Sequence, residues 1–349
     1  MDRSVMRETA QGFQRYYNPK LSGELRLDTN TNVLGSNPAA ERYLAQGKWN
    51  LDSYPNTYSD GLRAALGELY GLQADNFIAG NGSDEMLDVT FKTFTNWGDN
   101  SVVPVPSYTL YDYFVKMNGG KALEVDLTED FQLDVDAIVR QDAKIAIMPS
   151  PNNPTGNCFR ERDIEDVLSR FDGIVVVDEA YAEYSEGSMI RRVDEFENLI
   201  VLRTFSKAYA MAALRIGYAA ANPKLAEMMM CVKIPYSLNM ISEGAAIAAI
   251  KDQDFISRSV SMVKEERPKL AAGLRKLGFE PFPSDSNFIL ARSPIDHEVL
   301  VSGLKSRGIL IRDFGSKRRT ENCVRTTVGN SEQNALLLEK AEEVISSCR

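Results

Sequence analysis

The chain has 349 residues, of which 44% are hydrophobic and 26% charged, fractions close to those of folded globular proteins. Its 49 acidic residues outnumber 40 basic ones, and the formal net charge of −9 argues against general binding to nucleic acids or anionic membranes. The single histidine, His297, excludes histidine-rich metal sites and leaves one possible base for serine-hydrolase chemistry; it is interpreted as a surface residue without a catalytic role.

Export and membrane insertion are not indicated either. The four cysteines are scattered without a Cys-x-x-Cys pair, as is typical of reduced thiols. The first seven residues are polar and charged, unlike a signal peptide, and no apolar run approaches the roughly 18 residues that a spanning helix needs. We therefore expect a cytoplasmic protein without a membrane or nucleic-acid partner.

The elements predicted along the chain divide it into an arm and two domains. Residues 1–44 are polar and rich in asparagine, and are interpreted as an N-terminal arm that adds to the small domain. Residues 45–250 alternate strand-like apolar runs with helical patterns, which predicts a large α/β domain. Residues 251–349 begin with a long helix near 254–277 and end with a helix near 332–347, which predicts a connecting helix and a smaller α+β domain.

Two helices are predicted early in the large domain. Asp60 is expected to cap the first, which ends at Gly71. The second follows a short strand and opens at Gly82-Ser83-Asp84, with Ser83 as the expected cap. The free N–H groups and the dipole at such a helix start favour an anion.

Three later apolar runs, 145–148, 174–177 and 199–202, predict strands that are buried on both faces of a parallel sheet. Polar residues follow each of them. Because ligands of open α/β sheets bind outside the carboxyl ends of the strands, a site is expected there. Asp178, at the end of the second run, requires a cationic partner if it is buried.

The motifs at these strand ends resemble those of fold-type I pyridoxal-phosphate aminotransferases, and most closely those of histidinol-phosphate aminotransferases. The matching segments are Ser-Pro-Asn-Asn-Pro-Thr-Gly (150–156), Asp-Glu-Ala-Tyr (178–181), Thr-Phe-Ser-Lys-Ala-Tyr (204–209), Leu-Arg-Ile-Gly (214–217) and Val-Arg-Thr-Thr-Val-Gly (324–329). The resemblance covers nearly the whole chain. It implies a mostly parallel sheet flanked by helices in the large domain, a smaller α+β domain, and pyridoxal 5'-phosphate as cofactor.

The resemblance implies roles at the cofactor ring. Lys207 would form a Schiff base with the cofactor and then act as a general base on the substrate α-carbon. Asp178 would pair with the ring nitrogen and keep it protonated; a structural salt bridge is the alternative. Tyr181 and Asn153 resemble the groups that hydrogen-bond the ring hydroxyl, although Asn153 also suits a turn. Tyr108 resembles the aromatic that stacks on the ring, or is a core residue.

The cofactor phosphate is expected at the start of the helix, Gly82–Asp84. Thr204, Ser206 and Arg215 match the other phosphate ligands of the family. Two acidic residues, Asp84 and Glu85, stand at the same helix start. We expect both acidic side chains to point away, so that only the backbone meets the phosphate.

The substrate residues are less specific. Arg325 matches the arginine that binds the α-carboxylate, for which a planar guanidinium is suited, while Arg312 and one of Tyr16 or Tyr17 are candidates for a substrate phosphate. For each of these candidates an ordinary surface residue is the alternative. Asn30 is a further candidate.

Asn30 belongs to an arm segment that departs from the usual pattern of the family, Leu-Asn-Ala-Asn-Glu-Asn-Pro. Thr31 and Val33 stand where that pattern has Glu and Pro, which leaves the substrate open. Tyr54 resembles a tyrosine that reaches the cofactor phosphate of a neighbouring subunit and so implies a homodimer. Lys317-Arg318-Arg319 is interpreted as a solvated loop.

The predicted activity is ping-pong amino transfer from histidinol phosphate, or from an aromatic amino acid, to a 2-oxo acid, expected to be 2-oxoglutarate. One alternative is a related pyridoxal-phosphate lyase or decarboxylase, for example of threonine phosphate, which would share the same site. The other is a non-catalytic binding module, which the intact set of Lys207, Asp178 and Arg215 disfavours.

Overall fold

The structure is a computed structural model that describes residues 5–13, 24–47 and 49–348. Tyr16 and Tyr17 lie outside the described residues. Within these ranges no helix combines the length and the apolar character that crossing a bilayer would require.

The large sheet forms from short apolar segments of the middle of the chain. Its strands are β2 (Phe77–Gly80), β3 (Asn100–Val105), β4 (Lys121–Asp126), β5 (Ile145–Pro149), β6 (Ile174–Asp178), β7 (Leu199–Thr204) and β8 (Gly217–Ala221). Across the described part of the sheet the strand order is β2-β8-β7-β6-β5-β3-β4. Only β8 runs antiparallel to its neighbours in these residues, β7 and β2, which confirms a mostly parallel sheet.

The central strands separate two apolar cores because successive side chains of a strand point to opposite faces. Val175 and Val177 pack into one core, and Val176 packs into the other. Residues 199–202 of β7 alternate in the same way. The uninterrupted apolar runs are therefore explained by burial on both faces.

Helices cover both faces of the sheet and make up much of the remaining chain. Those of the described residues are α1 (Glu8–Gln11), α2 (Pro38–Leu44), α3 (Asp60–Tyr70), α4 (Ser83–Phe94), α5 (Leu110–Met117), α6 (Val135–Val139), α7 (Glu161–Arg170), α8 (Pro223–Val232), α9 (Met240–Lys251), α10 (Gln253–Lys276), α11 (His297–Ser306) and α12 (Ser331–Ser347). The long helix predicted near 254–277 is confirmed as α10. The predicted caps are wrong by one residue, because Ser59 and Gly82 occupy the cap positions of α3 and α4.

The remaining strands of the described residues form two smaller sheets. Strand β1 (Leu25–Arg26) pairs in parallel with β11 (Ile309–Leu310), and four strands form an antiparallel sheet, in the order β12 (Arg312–Asp313), β13 (Cys323–Thr327), β10 (Phe288–Arg292) and β9 (Glu280–Pro281). The pairing of β1 attaches the segment after residue 24 to this part of the molecule. Ile311 lies between β11 and β12, so the chain passes there from one sheet to the other.

His297 differs from its prediction as a surface residue. The side chain is only 13% exposed, and its Nδ1 lies 2.8 Å from Oδ1 of Asp313. The prediction is wrong because Asp313 and Gly315, distant in sequence, fold against the ring; a Cβ on Gly315 would come within 2.2 Å of it.

Candidate active site

A cavity of about 410 Å³ opens at the carboxyl ends of β5, β6 and β7. It gathers most of the residues that the sequence motifs predict. Those that line it are Asn30, Ser83, Asp84, Tyr108, Asn153, Asp178, Tyr181, Thr204, Ser206, Lys207, Arg215, Arg312 and Arg325. The site therefore lies where an open α/β sheet binds its ligand.

Asp178 ends β6 at the floor of the cavity. Its Oδ2 accepts a hydrogen bond of 2.7 Å from the Tyr111 hydroxyl, and its Oδ1 accepts one of 3.1 Å from the Ala180 N–H. Burial raises the pKa of Asp178 from 3.8 to about 6, although both hydrogen bonds act in the opposite direction. The predicted cationic partner is absent among the described residues, since both donors are neutral.

Tyr111 is a site residue that the motifs did not reveal. It lies on α5, three residues after Tyr108, and the two rings meet edge-to-face with centroids 5.4 Å apart. Burial, followed by the charge of Asp178, raises the pKa of Tyr111 well above its usual 10, so that its hydroxyl stays a donor. The only sequence signal was the spacing of three residues from Tyr108, which lies in the turn just before α5.

Lys207 follows β7 and meets the arm. Its Nζ donates a hydrogen bond of 3.0 Å to the carbonyl oxygen of Thr29 and lies 5.5 Å from the centroid of the Tyr181 ring. The Tyr181 hydroxyl accepts a hydrogen bond of 3.1 Å from Nδ2 of Asn30. Asn30 is buried and has a φ of +54°, a conformation that asparagine tolerates better than most residues. The arm thus supplies two contacts to the site.

Arg325 enters the cavity from β13 and is firmly held. Its guanidinium donates to Oδ1 of Asn153 and, at 2.8 Å, to the carbonyl oxygen of Asp28. The guanidinium carbon lies 5.0 Å from the centroid of the Phe288 ring and 5.4 Å from that of Phe314. Such stacking and forked hydrogen bonding suit arginine and would not suit lysine.

The other end of the cavity combines a helix start with an arginine. Arg215 donates hydrogen bonds to Oγ of Ser206 (3.3 Å) and to Oδ2 of Asp84 (3.1 Å). A Cβ on Gly82 would lie 2.9 Å from Nη2 of Arg215, and the φ of Gly82 is +90°, so this turn requires glycine.

The prediction that Asp84 points away is wrong, because its carboxylate lines the cavity and forms an ion pair with Arg215. Glu85 does turn back and accepts a hydrogen bond from the backbone N–H of Asn81. The Thr204 hydroxyl donates to the Ile216 carbonyl (3.4 Å) and accepts from the Ser206 N–H (3.1 Å), so the backbone already engages it.

Two predicted features lie at or beyond the rim. Tyr54 is 83% exposed, does not line the cavity, and packs against Tyr236 with ring centroids 5.0 Å apart. Lys317 and Arg318 are exposed, in line with the interpretation of Lys317-Arg318-Arg319 as a solvated loop, but the contacts of this loop were not predicted. Lys317 lines the cavity. Arg318 forms ion pairs with β4 of the large sheet, and Arg319 donates a hydrogen bond to the carbonyl oxygen of Thr128, just after β4.

Comparison with known proteins agrees with this geometry. Residues 22–340 match the model of the class I and II aminotransferases. The chain is 33% identical to the histidinol-phosphate aminotransferase of Thermoanaerobacter sp. (strain X514) over 352 residues, which cover 99% of this chain and 100% of the relative. It is 36% identical to that of Thermococcus gammatolerans over 344 residues, 97% of each chain.

Solved structures show the same architecture. The crystal structure of histidinol-phosphate aminotransferase from Sinorhizobium meliloti, in complex with pyridoxal-5'-phosphate, is similar with a TM-score of 0.87 at 26% identity, over 93% of this chain and 92% of that one. The enzyme from Clostridium acetobutylicum gives a TM-score of 0.86 at 26% identity, over 93% and 99%. The chain therefore belongs to the class I and II aminotransferase family.

Proposed function

We propose that this protein is a pyridoxal-phosphate-dependent aminotransferase that takes histidinol phosphate as amino donor and a 2-oxo acid, 2-oxoglutarate, as acceptor. The observation that carries the proposal is that the amine of Lys207 and the partly buried carboxylate of Asp178 line one cavity, with Arg215 and the start of α4 at its end. The relatives named as histidinol-phosphate aminotransferases support the choice of donor.

The residues of the cavity fit pyridoxal phosphate. The Asp178 carboxylate is only partly exposed and has no cation in contact among the described residues, which suits a protonated ring nitrogen. The N–H groups at the start of α4, together with Ser206 and Arg215, suit a phosphate. The contacts of Arg215 with Asp84 hold its guanidinium beside that helix start.

Bound pyridoxal phosphate supplies an aldehyde that takes up the amino group and a ring that withdraws electrons from the substrate α-carbon. Lys207 would move the proton of the α-carbon through its Nζ, the only amine described here between Tyr181 and the arm. Tyr181 and Asn153 would orient the ring through its hydroxyl. Tyr108 would cover one ring face. Amino transfer in two half-reactions then gives ping-pong kinetics.

The substrate end of the cavity favours an anionic donor. Arg312 stands directly opposite Arg325 in the antiparallel pairing of β12 with β13, and both line the cavity. Like charges directly opposite each other destabilise a sheet. An anion bound between them offsets this cost, and a phosphate carries more charge than the carboxylate of an aromatic amino acid.

The active form is proposed to be a homodimer in the cytoplasm. Tyr54 and Tyr236 form a paired aromatic surface outside their own cavity, which suits the proposed reach of Tyr54 into a second copy. The cysteines of the described residues, Cys158, Cys231, Cys323 and Cys348, are free thiols, as is common in a reducing compartment.

The test is a donor screen with the cofactor-loaded protein. Histidinol phosphate should change the absorbance of the bound cofactor, and 2-oxoglutarate should then restore it and yield glutamate. Lys207→Ala should abolish this cycle, whereas Lys276→Ala, a charge-matched change at the exposed end of α10, should not. Turnover retained in Lys207→Ala would contradict the proposal. Carbon dioxide release from threonine phosphate, without need of a 2-oxo acid, would identify a decarboxylase instead.

A further inference from the structure

A loop of the small sheet crosses the cavity to the large sheet. This crossing loop, residues 314–322, connects β12 with β13. Arg318 forms ion pairs with Asp126 and, at 3.5 Å, with Glu124 of the edge strand β4, and Arg319 donates a hydrogen bond of 2.9 Å to the carbonyl oxygen of Thr128. The side chains of these ion pairs are about half exposed, so the pairs contribute little to the free energy of unfolding. Their effect is to hold the crossing loop against β4.

The crossing loop has a defined internal shape. Asp313, at its entry, accepts a hydrogen bond of 2.8 Å from the Gly315 N–H, and the Thr320 hydroxyl donates one of 2.9 Å to the Phe314 carbonyl. Arg319 and Asn322 have φ values of +67° and +58°. Non-glycine residues keep such a conformation only where their surroundings hold it. The loop therefore presents its side chains in fixed directions.

Lys317 is the charged side chain that the crossing loop presents to the cavity, which Phe314 of the same loop also lines. It lines the cavity together with Arg312. Within the described chain, neither of these two side chains forms a hydrogen bond or an ion pair. The other arginine of this region, Arg325, is by contrast held by Asn153 and Asp28. Two cations that form no ion pair among the described residues thus line the same cavity, where their charges and free N–H donors can bind an anion together.

We propose that Lys317 is a specificity-determining residue that binds the phosphate of the amino donor together with Arg312. Arg318 and Arg319 are positioning residues, which place Lys317 by fastening the crossing loop to Glu124, Asp126 and Thr128. This inference rests on the proposed function and deepens it, since it names a residue that selects a phosphorylated donor over one without the phosphate.

The first test compares histidinol phosphate with histidinol, which lacks the phosphate, in the half-reaction of the cofactor-loaded enzyme. Lys317→Ala should lower kcat/KM for histidinol phosphate by about tenfold, chiefly through a higher KM. The reason is that Lys317 would contact the phosphate equally in the bound substrate and in the transition state. The value for histidinol should not change. Lys305→Ala, which removes an exposed lysine of α11, is the charge-matched control and should leave both donors unaffected.

An unchanged KM for histidinol phosphate in Lys317→Ala, or an equal loss with both donors, would overturn the role of Lys317. A wild-type enzyme that does not transaminate histidinol phosphate would instead refute the proposed function, so the two failures are distinguishable. The positioning role predicts that Arg318→Ala raises the same KM and that adding it to Lys317→Ala has little further effect. Losses that simply multiply in the double variant would refute that role.

Discussion

The hydroxyl of Tyr111 donates a hydrogen bond of 2.7 Å to Oδ2 of Asp178 at the floor of the cavity. This bond stabilises the ionised carboxylate, whereas burial favours the protonated form. The two effects leave the pKa of Asp178 at about 6, so the carboxylate is mostly ionised at neutral pH. Under the proposed role of Asp178, Tyr111 would thereby help to maintain the charge that pairs with a protonated cofactor ring.

Replacing Tyr111 by phenylalanine should weaken the binding of pyridoxal phosphate and move its pH dependence. Loss of the hydrogen bond raises the pKa of Asp178, so the carboxylate becomes protonated at a higher pH as the solution is acidified. A hydrogen bond to a charged group contributes about 1.5–3 kcal/mol, which corresponds to a loss of affinity of about tenfold or more. Titration of the apoprotein with the cofactor between pH 5 and pH 8 measures the effect.

The matched control for this variant is Tyr113→Phe on the same helix. Tyr113 is partly exposed and packs on Phe13 at a centroid distance of 4.8 Å, away from Asp178. The Tyr113→Phe variant should therefore bind the cofactor with the affinity of the wild type at every pH. If Tyr111→Phe showed the same pH dependence as the wild type, the hydrogen bond would have no influence on the ionisation of Asp178.

Asp178 should make the apoprotein less stable at neutral pH. A carboxyl group whose pKa rises from 3.8 to about 6 on folding corresponds to about 3 kcal/mol of lost stability once it is ionised. Between pH 6 and pH 4 the folded state holds the proton and the unfolded state does not, so this cost falls as the pH is lowered.

The variant Asp178→Asn tests this cost, because the amide oxygen can still accept from Tyr111 but carries no charge. In urea denaturation of the apoproteins at pH 8, the variant should have a free energy of unfolding about 1–3 kcal/mol above that of the wild type. The difference should shrink towards zero at pH 4. A variant that is less stable than the wild type at pH 8 would contradict this account.

The parts of the site that could be predicted from the sequence are those set by local pattern. Apolar runs such as 174–177 identify strands buried on both faces, and the rule that ligands bind at carboxyl strand ends then places Asp178 and Lys207 at one edge. Strand β8 was not predicted, because its Gly-Tyr-Ala-Ala-Ala sequence has little strand propensity. The domain boundaries at residues 44 and 250 stay predictions.

The features that were missed depend on contacts between residues distant in sequence. The partner of Asp178 is Tyr111, 67 residues earlier, and nothing in a helix pattern shows which buried aromatic turns its hydroxyl towards a carboxylate. Arg318 contacts Asp126 across 192 residues of chain, so nothing in the sequence indicates that the largely exposed basic tripeptide forms an ion pair with β4. The Asp84 side chain faces the cavity because it forms an ion pair with Arg215, 131 residues later in the chain. A hydrogen bond or an ion pair between residues distant in sequence decided each case.

Gly217→Ala should disturb the end of the cavity near Ser83 and Arg215, where the cofactor phosphate is proposed to bind. An added Cβ would lie 2.1 Å from the backbone nitrogen of Ser83 and 2.4 Å from the carbonyl carbon of Gly82, and neither backbone atom can rotate away. We expect a loss of about 1–3 kcal/mol in the free energy of unfolding and about tenfold weaker cofactor binding. Gly187→Ala is the control, since nothing lies within 4 Å of its added Cβ. Wild-type affinity in Gly217→Ala would show that the helix start can shift without consequence.

Behind the floor of the cavity, Arg203 joins two buried acids. It donates to Glu179 at 2.9 Å, to Glu183 at 2.8 Å and to the Ser188 hydroxyl at 2.9 Å, and all three charged side chains are at most 11% exposed. Burial raises the pKa of Glu183. Because Glu179 directly follows Asp178, this cluster also fixes the segment that carries Asp178 and Tyr181.

Arg203→Met should therefore be strongly destabilising, because it leaves two buried carboxylates without a cation. Breaking a buried pair in this way costs about 3–5 kcal/mol, whereas Arg170→Ala, at an exposed pair with Asp136 and Asp166, should cost less than about 1 kcal/mol. The loss should be larger at pH 8 than at pH 5, since protonation of Glu183 removes part of the uncompensated charge. Urea denaturation of the apoproteins at both pH values measures this. Equal, small losses in the two variants would mean that water reaches the cluster and screens its charges.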